Sequence, residues 1–334
     1  MKKIAGSIAV VLLTVAACGG SEWKPVAAPS VFPVAPGPKT ATPPSAPPPS
    51  AAPSGPQASA VDGSLPPPAD VPVLEARAAC KAGTCKLKEL VPAAARPAKD
   101  SKAPSAVWEH VIAKNAVVEV PRDSDVELYG VVLRGQVTLG TQGRPEHLAP
   151  LGPWHAFRAP GAGLDVRAKD AEARVAFIVS TGGAPLAEAI ARFEAKPEAV
   201  SWTKRTEHVA RIDFGAQPDL AWNGGSAHAR IGFEGPASRS SLSVLLMSKD
   251  AAVAEHVHDK EWEMLALLNA TDGDFTTKGA DGKSVTSKTQ DGAVLTVAPG
   301  TAHAFKPAGT EITLAIQAYT PPGPEQRFKK LASP

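Results

Sequence analysis

From about residue 107 onward, short apolar runs are broken at intervals by Gly, Pro and Asp. "NAVVEV", "VELYGVVLRGQVTLG", "EARVAFIVS", "HVARIDF", "SLSVLLMS", "EWEMLALLN", "AVLTVAP" and "EITLAIQAY" are such runs. Several alternate apolar with polar residues, the two-residue period that presents one face of a strand to a core, and turn signals recur every ten or so residues. One stretch has a different period. In "PLAEAIARFEAK", residues 185 to 196, Leu186, Ile190 and Phe193 fall at helical spacing, and Pro197 ends the pattern. Strands on both sides of a single helix predict an all-β chain of two β sandwiches or barrels joined at about residues 181–200.

The two halves share a phrase. "HAFRAPG" occupies residues 155–161 and "HAFKPAG" residues 303–309, each ahead of the last strand of its half. A repeat of this kind marks a duplicated structural unit. In the second half, His256 and His258 stand two apart, so on a strand both side chains leave the same face. After a turn-like Asp259-Lys260, Glu263, Leu265 and Leu267 share a face of the next strand, and Glu261 shares it too. With His303, these residues offer three imidazoles and a carboxylate, a donor set suited to a divalent first-row transition metal: Fe, Mn, Ni, Cu, Co or Zn.

The same residues resemble the two motifs of the cupin superfamily. "HVHDKEWEMLALLNA" carries His256, His258 and Glu263 in the register of the first motif, with Ala270 in place of its final Gly. "GAVLTVAPGTAHAFKP" carries Gly292, Gly300 and His303 in the register of the second, with Ala298 for its Pro and Pro307 for its Asn. The resemblance covers roughly residues 205–325. It implies a metal site of His256, His258, Glu263 and His303, with family spacing favouring Glu263 over Glu261 as the carboxylate ligand. It also implies two jelly-roll (double-stranded β-helix) domains in tandem, as in bicupins, and leaves room for a homodimer.

Aligning the first half on the second places Pro121 at His256, Asp123 at His258 and Leu128 at Glu263, so only His155 survives there. One imidazole does not hold a transition metal, and His155 reads as a core or rim residue. His110, His147, His208 and His228 have no ligand spacing and read as packing or surface residues, although Trp222 and His228 could line a cavity mouth. The domain reading is therefore a degenerate cupin-like domain over 105–182, a linker helix over 183–200 and a metal-binding cupin over 201–330. A cupin of this kind implies either a dioxygenase-like or decarboxylase-like enzyme acting on a small organic molecule, or an envelope protein that binds or senses a metal or small ligand. Glu261, Trp262 and Lys306 are the only flanking candidates for an acid or base, so no catalytic residue is assigned.

The N-terminal quarter changes the setting. "MKKIAGSIAVVLLTVAAC" has two lysines, an apolar run of about a dozen residues and a small-residue ending, the anatomy of an export signal and too short for a comfortable membrane span. Its last four residues resemble a bacterial lipobox, which implies acylation of Cys18, a lipid bilayer as partner and, with Gly19 next, the outer membrane facing the periplasm. Residues 19–75 hold nearly half of the chain's 34 prolines and read as a disordered Pro/Ala/Ser-rich tether. Cys80 and Cys85 lie in a connecting segment over 76–104. In an oxidising compartment they read first as a disulfide, with a metal or redox pair as the other reading. The net charge of +2 is scattered without a basic stripe, which argues against nucleic acid.

Overall fold

The computed structural model describes residues 62–332 apart from 68–70, 73, 87–89, 142–148, 196–208, 271, 280 and 309–311. The expected signal segment, Cys18, the tether up to residue 61, His147, His208 and residues 196–200 of the expected linker helix lie outside the described residues. The fold is all-β, two cupin barrels in tandem. Among the described residues no helix is long and apolar enough to cross a membrane.

The first barrel is built on β1 (Arg77–Cys80), β2 (Thr84–Lys86), β3 (Ser105–Ile112), β4 (Val117–Arg134), β5 (Val137–Thr141), β6 (His155–Ala168) and β7 (Ala173–Ser180). They form one sheet in the order β1-β3-β7-β4-β6-β5, with β2 added to β4. β4 joins two of the expected strands into one, and its pairing with β6 shifts register between Arg122 and Glu127, where the long strands pass from one wall of the barrel to the other. Cys80 and Cys85 are disulfide-bonded, with an S–S distance of 2.02 Å. α1 (Leu186–Ala195) follows, burying Leu186, Ala189, Ile190 and Phe193 against the first barrel.

The second barrel has two sheets. β9 (Leu220–Trp222), β10 (Ala227–Gly232), β11 (Ser241–Met247), β13 (Trp262–Asn269), β16 (Val294–Val297) and β18 (Thr313–Thr320) pair in the order β16-β13-β18-β11-β10-β9. The opposite wall is β12 (Val253–His256), β14 (Asp274–Lys278), β15 (Ser284–Lys288) and β17 (Ala302–Lys306), in the order β12-β17-β14-β15. α2 (Gln326–Leu331) closes one end.

Two features fall across the boundary between the halves. β8 (Ala210–Asp213), which the sequence reading places in the second domain, pairs with β6 of the first, His155 opposite Asp213. The last part of the expected tether also lies on the body. Trp154 Nε1 donates to the Pro66 carbonyl, Arg174 to those of Val71 and Pro72, and Arg230 to that of Gly63, so Gly63, Pro66, Val71 and Pro72 between them contact both halves. Val71 and Leu74 are buried there.

The central strands are buried on both faces, because the barrels pack sheet against sheet. On β13, Leu265 and Leu267 point into the second barrel, while Met264, Ala266 and Leu268 pack against Tyr129, Val131 and Ile178 of the first. β4 divides the same way, with Leu128 and Val132 inside its own barrel and Tyr129, Val131 and Leu133 at the interface. Each large side chain buried this way contributes about 1.5–3 kcal/mol. The interface also fixes the direction in which β13 and β18 aim their other face, which is where the polar residues collect.

Candidate metal centre

Alternation along β13 sends Glu263 into the second barrel together with Leu265 and Leu267. On β12, His256 pairs directly across from His303 of β17, and the exposed Val257 separates His256 from His258, which leaves the strand on the same side as His256. Ligand atoms of His256, His258, Glu263 and His303 all lie within 4.8 Å of one another. Donors each about 2.1 Å from one metal ion stand roughly 3 to 4 Å apart, so the observed span is within rotamer adjustment of a metal shell.

The hydrogen bonds around the cluster orient it further. Nδ1 of His256 is 2.9 Å from the Ala254 carbonyl and Nδ1 of His303 is 3.0 Å from the Thr301 carbonyl, contacts in which Nδ1 donates and which direct Nε2 inward. Nε2 of His258 and of His303 lie 3.1 and 2.8 Å from Oε2 of Glu263. Nε2 of His256 is buried and has no hydrogen-bond partner among the described residues. A buried nitrogen lone pair aimed at three other donors fits a divalent metal ion, which would satisfy it.

Glu263 is held from behind. Its Oε1 accepts from Gln317 Nε2 at 2.5 Å and from the Tyr319 hydroxyl at 3.4 Å, which leaves Oε2 for the imidazoles or a metal. Burial alone would raise the Glu263 carboxyl, but the hydrogen bonds from His258 and His303 outweigh it and hold the group well below the usual carboxylate range. Burial, and then the Glu263 charge, push the Tyr319 hydroxyl well above its ordinary value, so it remains a donor. Burial, aided by the Arg327 guanidinium, brings His256 down to about 4.

A small cavity, open to solvent, adjoins the cluster. Its walls are mainly apolar, with Leu245, Met247, Val253, Phe275 and Phe305 among them, and Gln317 and Arg327 add polar groups beside the clustered donors.

No protein-family model matches the sequence, and no curated protein matches it. Solved structures do. A structure of oxalate decarboxylase from Bacillus subtilis at pH 4.6 superposes with a TM-score of 0.51 at 11% identity, over 66% of this chain and 68% of that one. A structure of the same enzyme concerned with its Mn(II) centres gives 0.51 at 12%, over 66% and 70%. One addressing the substrate binding mode and reaction specificity of oxalate decarboxylase gives 0.52 at 12%, over 66% and 70%. This chain has the bicupin fold.

Within the bicupin, the four ligand positions named from sequence come together, all in the second barrel. Glu261 does not join them: it reaches toward the backbone at Gly323, and its Oε2 accepts from the Lys260 amide. Lys306 is exposed, and neither it nor Trp262 lines the cavity. Trp222 does line it, packed at a tilt against Phe328 with centroids 5.0 Å apart, whereas His228 is turned away into contacts with Asp219 and the Gly225 carbonyl. His155 sits at a rim with its side chain 36% exposed and its Nε2 3.9 Å from Asp213. His110 is buried in the first barrel, against Phe177.

Sequence reading missed Gln317, Tyr319 and Arg327. For the first two a signal existed. Gln317 and Tyr319 are two apart in the otherwise apolar "TLAIQAYT" of β18, and a polar pair on one face of a buried strand points to a polar site inside. Arg327, in "QRFKKL", looks like any residue of a charged surface helix.

Proposed function

We propose that this protein binds a divalent transition metal in its second barrel through His256, His258, Glu263 and His303 and presents it to a small organic molecule in the adjoining cavity. The observation that carries this reading is the convergence of the four donor groups within 4.8 Å, with the inward nitrogen of His256 otherwise unpartnered among the described residues. A metal there would supply Lewis-acid polarisation or one-electron exchange. The chain's own residues bind and orient: Gln317 and Tyr319 fix the Glu263 carboxylate, the carbonyls of Ala254 and Thr301 fix two imidazoles, and the apolar walls exclude water.

Turnover of the decarboxylase or dioxygenase type is one use of such a site, and the likeness in fold to oxalate decarboxylase is in keeping with it. Capture or sensing of a ligand without turnover is the other. It is favoured by the cavity lining, where among the described residues the only carboxylate and the imidazoles are the proposed metal donors themselves and no further acid or base stands ready to move a proton. The setting belongs to the proposal too. Acylation at Cys18 would tether the protein to a bilayer, at the outer membrane facing the periplasm, and the support for this is the sequence of the N-terminal segment.

Elemental analysis of untagged protein is the test. About one equivalent of a transition metal per chain, lost in His256→Ala, supports the reading, and metal-free wild-type protein that takes up none on titration overturns it. Carbon dioxide release or oxygen consumption by the metal-loaded protein with a panel of small carboxylic acids then separates turnover from capture.

A further inference from the structure

The cavity beside the clustered donors contains a cation that forms no direct ion pair among the described residues, although its charge reaches the Glu263 carboxylate. Arg327 of α2 lines it together with His256, Glu263 and His303. Its Nη2 donates to the Tyr319 hydroxyl at 3.0 Å, and its guanidinium lies 5.9 Å from the centroid of the Tyr319 ring and 5.2 Å from that of Phe328. Among the described residues no carboxylate is within ion-pairing distance of it. A guanidinium has five N–H donors in a fork that matches a carboxylate, and the hydrogen bond to Tyr319 uses one of them.

Charge and lining together narrow the ligand. A dication held by three neutral imidazoles and one carboxylate leaves the site positive, and Arg327 adds to that charge, so the cavity attracts an anion. Its walls, however, are mostly hydrocarbon: Leu245, Met247, Val253, Phe275 and Phe305 offer no partner to a second charged group, and outside the clustered donors and Arg327 only Gln317 and Trp222 carry polar atoms. Burying a second carboxylate against such walls without partners is costly, whereas an alkyl or aryl body gains from the same contact.

We infer that the ligand is a small monocarboxylate with an apolar body, its carboxylate taken by Arg327 and its body by the wall of Leu245, Met247, Val253, Phe275 and Phe305. This rests on the metal reading of the same site. Arg327 is the specificity-determining residue, and the tilted packing of Phe328 against Trp222 holds the helix that delivers it.

Calorimetric titration of manganese-loaded protein tests the inference, with hexanoate and benzoate as probes, hexanamide and benzamide as neutral isosteres, and oxalate as the small dicarboxylate. The carboxylates are expected to bind at least about tenfold more tightly than their amides, the worth of one charge-assisted pair, and more tightly than oxalate. Arg327→Met should remove that preference with manganese stoichiometry unchanged, and Arg327→Lys should keep part of it. Tyr319→Phe, which breaks the Arg327–Tyr319 hydrogen bond but keeps the guanidinium, should retain the preference, an outcome that a merely structural Arg327 would not give. Equal binding of acid and amide by the wild type, or a preference that survives Arg327→Met, overturns the inference, and tighter binding of oxalate than of hexanoate overturns its apolar part. Failure of the wild type to hold manganese retires the metal reading instead, so the two failures are told apart.

Discussion

The two barrels share a fold and a phrase but fill their interiors differently. In the first, the position aligned with Glu263 is Leu128, and the space is taken by hydrocarbon: Phe157 and Phe177 pack edge to face at 6.2 Å, Trp108 lies 5.6 Å from Phe177, and Phe157 rests directly on Gly130. In the second, the corresponding interior holds three imidazoles, a carboxylate and a cavity. The repeated phrase shows how local the divergence is. Phe157 and Phe305 both point inward, yet His155 sits at a rim opposite Asp213 while His303 faces His256 across a strand pair. A jelly roll therefore tolerates either a solid core or a lined chamber, and a few inward positions decide which.

The comparison can be broken most severely at its solid end. Phe157→Ala should cost about 3–5 kcal/mol, the usual loss for an aromatic removed from a filled core, measured by denaturant unfolding of the metal-free protein. A loss below about 1 kcal/mol would mean that the first barrel is not solid.

Acid response should separate the barrels next. Burial brings His110 in the first barrel down to about 4, and His256 in the second is lowered to about 4 as well. Unfolded, each imidazole titrates near 6.5, so between about pH 6.5 and 4 the unfolded chain takes up protons that the folded one refuses. Stability of the metal-free protein should therefore fall as pH drops through that window, with about 3 kcal/mol of the loss owed to His110. His110→Leu should flatten that share of the slope with or without metal, whereas saturating metal should steepen the dependence on the second-barrel side by adding proton competition. Unchanged slopes in His110→Leu would remove the buried imidazole from the account.

Exchange of the two repeated histidines comes third. His303→Ala should weaken metal binding by about 100-fold or more, and His155→Ala should leave it unchanged, both read by manganese titration. Equal effects would erase the asymmetry. The smallest expected change is at the support behind the carboxylate. Tyr319→Phe should lower metal affinity by about tenfold, the common result of losing a hydrogen bond behind a ligand.

How much of this was open to reading depended on range. The cluster of donor groups was legible because His256, His258 and Glu263 are close in sequence and strand alternation fixes their faces, and because the phrase around His303 repeats. Glu261 illustrates the limit. Alternation puts it on the same face as Glu263, but it falls just before β13 begins, where the chain has not yet entered the barrel wall. The crossing of β8 into the first barrel's sheet and the seating of Gly63, Pro66, Val71 and Pro72 on the two halves had no local signal. A four-residue strand pairs equally well with either edge until tertiary packing decides, and a proline-rich composition describes how a segment behaves alone rather than the carbonyls it can offer to Arg174 or Arg230. Arg327 was hidden because helix α2 is charged overall, and only its seat on Tyr319 and Phe328 turns one of its cations inward.

The double-faced burial of β13 has a consequence for how such a chain can drift over generations. Positions 263, 265 and 267 answer to whatever occupies the chamber, whereas 264, 266 and 268 answer only to the neighbouring barrel. Two histories are thus written on one strand in alternate letters, and a change of ligand can rewrite one of them while leaving the other as it was. In the first barrel, where Leu128 stands at the position of Glu263, the inner face answers to its own packing alone, while the outer face still answers to its neighbour.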